Sequence, residues 1–428
     1  MIKLRTIVGL GVLFLAACAN GTTDDADVGT ADVVTLSAAK TLIAWNGRAL
    51  DAAAADTTSG PARTARSLAI VHIAVYDAVQ SIAGTYQPYT GLGYDSHANM
   101  AAAIGQAAHD TLVALYPSQA ADLDAALASE LAGNPAGTRD DGIARGKLAA
   151  SRILALRAND GAETPDPDYT AVDIAGGEGQ WAPDAITADP RAQGAFWGRV
   201  KPFTMTAPDQ FRAPAPNAVG TPAFKADLAD VAARGGDGTT TTTSRTPAET
   251  QMASFWNDAS APRLFNRIAN AIGEKRGYSG SPIEMSRLLA MVHVGLADAG
   301  IACWESKYEY DRWRPTNAVR ASVNPTFTPL GTTPPSPSYP SENACFGGAL
   351  FGVLDHLVGD TTFTVKSDAS GTTRTWQHLR DAETESARSQ VLLGVSVQND
   401  GAAGVKLGNS VGDQLSTKFF GRRSLATE

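Results

Sequence analysis

The chain has 428 residues, 43% of which are hydrophobic, and a formal net charge of −9. This length and composition allow a large buried core, so the chain is predicted to be globular. The acidic balance and the lack of any basic run in the sequence argue against a nucleic-acid partner, because binding to phosphate backbones needs clustered Lys and Arg.

The first 35 residues predict an export signal followed by a tether. Two basic residues precede an apolar stretch over residues 7–15 that is too short to span a bilayer, as in a cleaved signal peptide over residues 1–17. Cys18 ends a Leu-Ala-Ala-Cys sequence similar to the lipobox of bacterial lipoproteins, in which the cysteine carries the lipid. Residues 18–35 are polar and acidic and predict a flexible tether. We expect a lipid-anchored protein of the bacterial cell envelope, and Ala19 favours the periplasmic side of the outer membrane.

From residue 36 onward, apolar residues recur mainly at intervals of three and four, which predicts an all-α protein. The predicted helices cover residues 36–55, 64–82, 98–115, 120–131, 139–158, 248–257, 263–272, 282–307, 342–358, 379–395 and 401–419. Long irregular segments lie between some of them, and their large aromatic side chains are expected to pack against the helices. We therefore predict one helical domain over residues 36–420 and a C-terminal tail over residues 421–428.

Cys303 and Cys345 are the cysteines that remain after Cys18. An oxidising compartment would permit a disulfide between them if the fold brought their Cα atoms within about 7 Å. Free buried cysteines are also common, and we favour that interpretation.

Two cations lie near the end of the long predicted helix over residues 282–307. Lys307 and Arg314 are seven residues apart, which would place them on one helical face. Pro315 disfavours helical geometry at the residue before it, so the helix is expected to stop at Arg314. Arginine offers bidentate donors to an oxyanion and lysine a mobile point charge, so the pair suits an anion. Ion pairs with nearby acidic residues are the simpler alternative.

A proline-rich loop over residues 334–340 leads into the helix predicted to begin at Glu342. Ser341 stands at the N-cap position, and backbone N–H groups at a helix start attract anions. An ordinary capping role explains Ser341 equally well. Glu342 either complements the helix dipole or serves as an acid or base, which would require burial to raise its pKa.

The spacing of Lys307 and Arg314 resembles the first motif of the superfamily that contains the vanadium-dependent haloperoxidases and the type 2 phosphatidic acid phosphatases. That motif has a lysine, six intervening residues and Arg-Pro, as residues 307–315 have. Residues 340–343, Pro-Ser-Glu-Asn, resemble the second motif, Pro-Ser-x-His, with Asn343 in place of its histidine.

The third motif of this superfamily, Ser-Arg-x5-His-x3-Asp, is similar to residues 389–400. Gln390 stands in place of its arginine and Ser396 in place of its histidine, whereas Asp400 matches its aspartate. Two further helical segments look like those of bacterial haloperoxidase-like members, so the resemblance spans residues 36–420.

The resemblance implies a helical-bundle fold and assigns roles to the substituted positions. In the superfamily, the third-motif histidine bonds vanadium or acts as the phosphatase nucleophile, and the second-motif histidine is a general acid or base. Ser396 lacks a comparably basic lone pair and Asn343 cannot titrate, so neither residue can take over these roles. Losing a positioned acid or base typically lowers the rate by about 10²- to 10⁴-fold. We expect no efficient haloperoxidase or phosphatase activity and no cofactor, with vanadate implied only by the resemblance.

The predicted anion site consists of Lys307, Arg314, Ser341 and Gln390. Replacement of the third-motif arginine by Gln390 weakens this site, because a charge-assisted hydrogen bond contributes roughly 1.5–3 kcal/mol. Asp400 orients the histidine in the superfamily, and here we expect it to hydrogen-bond Ser396 or to pair with a cation. The six histidines of the chain show no metal-ligand spacing and none falls at a vacant motif position, so no metal site is expected.

The leading hypothesis is a lipid-anchored envelope protein of this superfamily without efficient haloperoxidase or phosphatase activity, in which the retained pocket is available to an anionic ligand. The alternatives are a vanadium-independent acid-base enzyme that uses Lys307, Arg314, Glu342 and Asp400, an active enzyme with unusual ligands, and a noncatalytic scaffold. Relatives of this kind often self-associate, so a homo-oligomer is a further expectation.

Overall fold

The computed structural model describes residues 30–134, 136–172, 177–257, 260–368 and 370–423, with side chains from residue 37 onward. These residues form thirteen α-helices and one two-stranded hairpin, so the predicted all-α fold is confirmed. The predicted signal peptide and Cys18 lie outside the described residues. The elements are α1 (Thr30–Ala55), α2 (Pro61–Ala83), α3 (Met100–Leu115), α4 (Ala120–Ala132), α5 (Ala136–Arg157), α6 (Pro222–Arg234), α7 (Pro247–Trp256), α8 (Ala261–Lys275), α9 (Pro282–Tyr310), α10 (Pro315–Ser322), α11 (Glu342–Val358), β1 (Phe363–Lys366), β2 (Thr373–Trp376), α12 (Leu379–Leu392) and α13 (Gln398–Lys418).

Helix α9 is the central element of the fold. It begins at the N-cap Ser281, whose side chain accepts a hydrogen bond from the backbone N–H of Glu284, and Pro282 occupies its first turn, where no N–H partner is needed. It packs against α2, α8, α11 and α13. By length and hydropathy it is the one helix among the described residues that could span a membrane, but 94% of its most apolar stretch is buried inside the protein. That burial identifies a core helix.

Glycines let helix α13 lie directly on the backbone of α11. A Cβ added at Gly408 would overlap the carbonyl oxygen of Cys345, and one added at Gly404 would lie 2.7 Å from the carbonyl oxygen of Ser341. Both contacts are with backbone, which cannot rotate away as a side chain can. The close approach also brings the start of α13 to the start of α11, since the backbone N–H of Ser341 donates to the carbonyl of Asp400 at 3.0 Å.

Replacing Gly408 with alanine is expected to lower the free energy of unfolding by about 1–3 kcal/mol, because the added methyl group forces the two helices apart. Gly137, near the start of α5, has no atom within 4 Å of an added Cβ and provides the matched control. Urea unfolding followed by circular dichroism measures both variants. Equal stability of Gly408→Ala and Gly137→Ala would contradict the close packing described for α11 and α13.

The structure departs from the predicted elements at α6, at α10, at the β1–β2 hairpin and at the start of α1. Helices α6 and α10 were not predicted, although Thr221 followed by Pro222 is an N-terminal helix signal, and the side chain of Thr221 does cap α6. The antiparallel β1–β2 hairpin was also missed, because its strands are only four residues long. Helix α1 begins at Thr30, so the last part of the predicted tether is helical.

The largest hydrophobic cluster has members from Ala38 to Phe420, and two smaller clusters, which include Val319 and Leu393, are separate from it. Trp181 and Trp197 are buried, as expected for the aromatic residues of the long irregular segment. Residue 423 of the predicted tail hydrogen-bonds the body of the protein, its N–H donating to the carbonyl of Thr85 at 3.1 Å. Cys303 and Cys345 are free, buried thiols, which agrees with the interpretation favoured from the sequence. The division of the chain into domains stays a prediction.

Candidate functional site

The predicted anion site lies where the C-terminal end of α9 meets the loop before α11 and the turn between α12 and α13. The expectation that Lys307 and Arg314 share one helical face is wrong. Helix α9 ends at Tyr310, because Asp311 adopts a left-handed conformation with φ 47° and ψ 41°. Arg314 is extended, with φ −75° and ψ 154°, and Pro315 begins α10 instead of only stopping α9. The two cations converge because the chain turns between them.

Lys307 is fully buried, with 0% of its surface exposed. Its Nζ donates to the carbonyl oxygen of Pro337 at 2.6 Å and to that of Ser338 at 3.2 Å. The same Nζ lies 2.8 Å from Oε2 of Glu342. The ammonium group thus has two backbone acceptors and one carboxylate around it, all supplied by the loop and the first residue of α11.

Arg314 is 1% exposed and reaches the same region from the other side. Its Nε donates to the carbonyl of Ser336 at 2.7 Å, its Nη2 to the hydroxyl of Ser336 at 3.0 Å, and its Nη1 to the carbonyl of Val395 at 3.0 Å. Nη2 lies 3.6 Å from Oε2 of Glu342. One carboxylate oxygen therefore faces both cations.

Glu342 supplies the negative charge at the centre of the predicted anion site, and its side chain is 16% exposed. Burial alone would raise the pKa of this carboxyl, but the charges of Lys307 and Arg314 outweigh burial and hold the pKa at about 2. The acid-base hypothesis for Glu342 required a raised pKa, and this condition is not met. Glu342 is a permanently ionised partner of the two cations at neutral pH.

Ser341 is the N-cap residue of α11, but its side chain makes no capping hydrogen bond. Its backbone N–H is bound to the carbonyl of Asp400, so that donor is used inside the protein. Ser341 is 1% exposed. The position predicted from the sequence is correct, whereas the capping role suggested as an alternative is not observed.

The residues at the two histidine positions are buried among polar neighbours. Asn343 is 7% exposed, and its Oδ1 accepts a hydrogen bond from the hydroxyl of Ser386 at 3.3 Å. Ser396 is 1% exposed, and its backbone N–H donates to the carbonyl of Gln390 at 3.2 Å. The amide of Gln390 donates to the hydroxyl of Ser389 at 3.1 Å. The two positions carry an amide and a hydroxyl, neither of which titrates near neutral pH.

Arg388 is the nearest arginine in sequence to Gln390, which stands at the position of the motif's arginine. Its guanidinium forms an ion pair with Asp230 of α6, with Nη2 donating to Oδ1 at 3.0 Å, and Nη1 also donates to Gln398. This arginine therefore serves the contact between α6 and α12 and does not restore the missing cation.

Asp400 joins the start of α13 to the loop before α11. Its Oδ2 accepts from the hydroxyl of Ser338 at 2.5 Å and from the backbone N–H of Val397 at 2.9 Å. Burial raises the pKa of Asp400, and the two hydrogen bonds offset part of that rise. Among the described contacts of Asp400 there is neither the expected bond to Ser396 nor an ion pair, because its carboxylate caps α13 and holds Ser338.

Sequence reasoning missed the contribution of Ser336 and Ser338, whose carbonyls and hydroxyls surround the two cations and Asp400. The Pro-Ser-Pro-Ser sequence over residues 335–338 was the available signal, since prolines remove backbone donors and leave carbonyl acceptors. A cation beside such a loop can bind the carbonyl oxygens, because the prolines offer no backbone N–H that would occupy them.

The six histidines make their contacts away from the predicted anion site. His72 and His293 stack in the core with ring centroids 4.5 Å apart, and His293 contacts Asn266. The other four lie next to aspartates: His97 with Asp95, His109 with Asp110 and Asp124, His356 with Asp413, and His378 with Asp360. Within the described residues, no group of three or more His, Cys, Asp or Glu could hold a metal ion.

These residues do not fit the vanadate that the resemblance implied. The position of the vanadium-bonded histidine holds Ser396, and the donors of Lys307 and Arg314 are directed to loop carbonyls and to Glu342. A carboxylate of the protein itself, that of Glu342, faces both cations of the site.

The comparisons with known proteins agree with this architecture. Residues 287–422 match the family described as the VCPO second helical-bundle domain. The vanadium chloroperoxidase of Curvularia inaequalis is 29% identical over 205 residues, which cover 40% of this chain and 34% of that protein. The chain therefore matches about a third of the length of this curated relative.

Solved structures extend the likeness in fold to most of the chain. The structure described as the first bacterial vanadium-dependent iodoperoxidase superposes with a TM-score of 0.79 at 22% identity, covering 90% of this chain and 98% of that one. A bacterial vanadium-dependent chloroperoxidase in its holo form gives a TM-score of 0.67 at 16% identity, covering 84% and 92%. Residues 287–422 thus match the VCPO second helical-bundle domain, and most of the chain has the fold of the solved vanadium-dependent haloperoxidases.

Proposed function

We propose that the protein is a lipid-anchored component of the bacterial cell envelope that has neither efficient haloperoxidase nor efficient phosphatase activity. The observation that carries this proposal is the burial of Ser396, 1% exposed, at the position where the superfamily has its reactive histidine. A serine attacks or ligates efficiently only when a base activates it, and the described contacts of Ser396 include no base. Asn343 removes the second titrating group.

The arrangement of charges supports the same proposal. The acid-base alternative used Lys307, Arg314, Glu342 and Asp400 as its reacting groups. In the structure the first three form one buried cluster, and Asp400 is bound to Ser338 and Val397. A general acid or base must be able to reach a substrate proton, and these groups are directed to each other.

The proposed location comes from the N-terminal sequence alone. The apolar stretch over residues 7–15 and the lipobox-like sequence ending at Cys18 support export and lipid attachment. Labelling cells with a radioactive fatty acid should mark the natural protein but not the Cys18→Ser variant. Equal labelling of both would contradict the lipid anchor.

Direct assays test the absence of the two activities. The purified protein is incubated with vanadate, peroxide and iodide, bromide or chloride, and separately with a phosphomonoester. We expect no turnover above that of the Ser396→Ala variant, since a buried, unactivated hydroxyl contributes nothing to either reaction. Turnover by the natural protein that Ser396→Ala abolishes would show an active enzyme with unusual ligands.

A further inference from the structure

The cluster of Lys307, Arg314 and Glu342 has more positive than negative groups. Two cations that are 0% and 1% exposed cannot be hydrated, so they require a countercharge inside the protein. Glu342 is that countercharge, with its Oε2 2.8 Å from Nζ of Lys307 and 3.6 Å from Nη2 of Arg314. Asp400, the other nearby carboxylate, has its described oxygen contacts with Ser338 and Val397 instead.

A carboxylate presents the same kind of acceptor to these cations as a phosphate or a vanadate does. Arginine and lysine bind carboxylate and phosphate oxygens through similar charge-assisted hydrogen bonds. Glu342 is also the first residue of α11, where the helix dipole favours a negative charge. The two cations and the helix dipole, which would attract a soluble oxyanion, therefore both act on the Glu342 carboxylate of the protein itself.

Attachment to the chain gives this carboxylate an advantage over any soluble anion. An intramolecular group competes at an effective concentration on the order of millimolar or above, and a soluble anion must displace it before it can bind. Oε2 of Glu342 is buried, and its charge is compensated by the two cations that it faces.

We propose that the Glu342 carboxylate is a built-in ligand of the predicted anion site, and that removing it opens the site to a tetrahedral oxyanion. This inference rests on the proposed function and deepens it, since it identifies the group that occupies the site in place of a soluble anion. It differs from the expectation that the natural pocket is available to an anionic ligand, which stays a prediction. The ligand class of the opened site is inorganic phosphate or vanadate.

The test compares phosphate binding by the natural full-length protein and by the Glu342→Gln variant, using titration calorimetry and the shift of Tm with phosphate. Glutamine keeps the size of the side chain and removes its charge. Glu309→Gln is the matched control, because it removes one carboxylate near the end of α9 without changing the site. The Glu309 carboxylate pairs with Arg212 at the surface, and 45% of the Glu309 side chain is exposed. We expect one phosphate to bind to Glu342→Gln, at least tenfold more tightly than to the natural protein or the control.

Two results would overturn the inference. One is tight phosphate binding by the natural protein, and the other is no phosphate binding by a folded Glu342→Gln variant. If that variant does not fold in chloride, refolding in phosphate supports the inference. If it folds in neither salt, Glu342→Asp decides, because its carboxylate is one methylene shorter. A phosphate-dependent rise in its Tm supports the inference, and no rise overturns it. The proposed function is tested by a separate measurement, since it would be contradicted by haloperoxidase or phosphatase turnover of the natural protein.

Discussion

Replacing Glu342 with glutamine is expected to lower the free energy of unfolding by about 3–5 kcal/mol, the cost of leaving buried charges without their partner. The variant keeps Lys307 and Arg314 buried beside each other with no carboxylate between them. Urea unfolding at pH 7 measures the change. The surface variant Glu309→Gln should lose no more than about 1 kcal/mol, because exposed ion pairs contribute little.

A double-mutant cycle separates this charge effect from a loss of packing. Adding Lys307→Met to Glu342→Gln removes one of the two unbalanced cations, so the double variant should be at least as stable as Glu342→Gln alone. Methionine preserves the unbranched shape of the lysine stem. If the losses of unfolding free energy in the two single variants simply add in the double variant, Glu342 and Lys307 do not act as one charge pair.

Acid titration provides a second measure of the same interaction. The pKa of Glu342 is depressed from its ordinary value of 4.5 to about 2, chiefly because Lys307 and Arg314 outweigh the opposing effect of burial. Its stabilisation is therefore fully present above about pH 4.5 and is lost as the pH falls towards 2, an effect of about 3 kcal/mol. The unfolding free energy of Glu342→Gln should fall less steeply over this pH range than that of the natural protein.

Restoring the three substituted motif positions is not expected to restore oxyanion chemistry by itself. The triple variant Asn343→His, Gln390→Arg and Ser396→His regains the titrating groups and the cation, but Glu342 still lies between Lys307 and Arg314. Adding Glu342→Gly removes the internal carboxylate. We expect vanadate binding, and peroxide-dependent bromide oxidation at least 10²-fold above that of the triple variant, only after this fourth change.

The controls for this experiment follow from the same geometry. Adding Glu309→Gln to the triple variant changes the net charge of the protein by the same one unit without touching the site, and should leave vanadate binding absent. Full activity of the triple variant would mean that an incoming oxyanion displaces Glu342 readily. That result would contradict the built-in ligand while leaving the proposed inactivity of the natural protein intact.

The recurrence of apolar residues at intervals of three and four was sufficient to predict most of the helices. Helix α11 has the bounds predicted from its apolar run, Glu342–Val358, and α9 starts at the predicted Pro282. The sequence was less informative for α10, because Pro315 both disfavours helix at the preceding residue and favours the first turn of a new one. Which effect prevails depends on Asp311, whose left-handed conformation ends α9 before the proline is reached.

Motif spacing pointed to Lys307 and Arg314 as neighbours near the start of α11, but not to how they are bonded. The first residue of a helix ordinarily directs an acidic side chain to solvent or to the helix start. Glu342 instead turns towards a lysine and an arginine that precede it by 35 and 28 residues. Asp400 similarly binds Ser338 of a distant loop instead of the neighbouring Ser396. Such contacts depend on tertiary packing, and no local pattern encodes them.

The internal ion cluster has a consequence for how the two cations persist through evolution. A lysine and an arginine in an old reaction centre would drift once their substrate was lost, unless something else depended on them. Glu342 creates that dependence, because a mutation of Lys307 or Arg314 now leaves its buried carboxylate short of a partner. Under the proposed function, selection for a folded chain is then enough to retain both residues of the first motif.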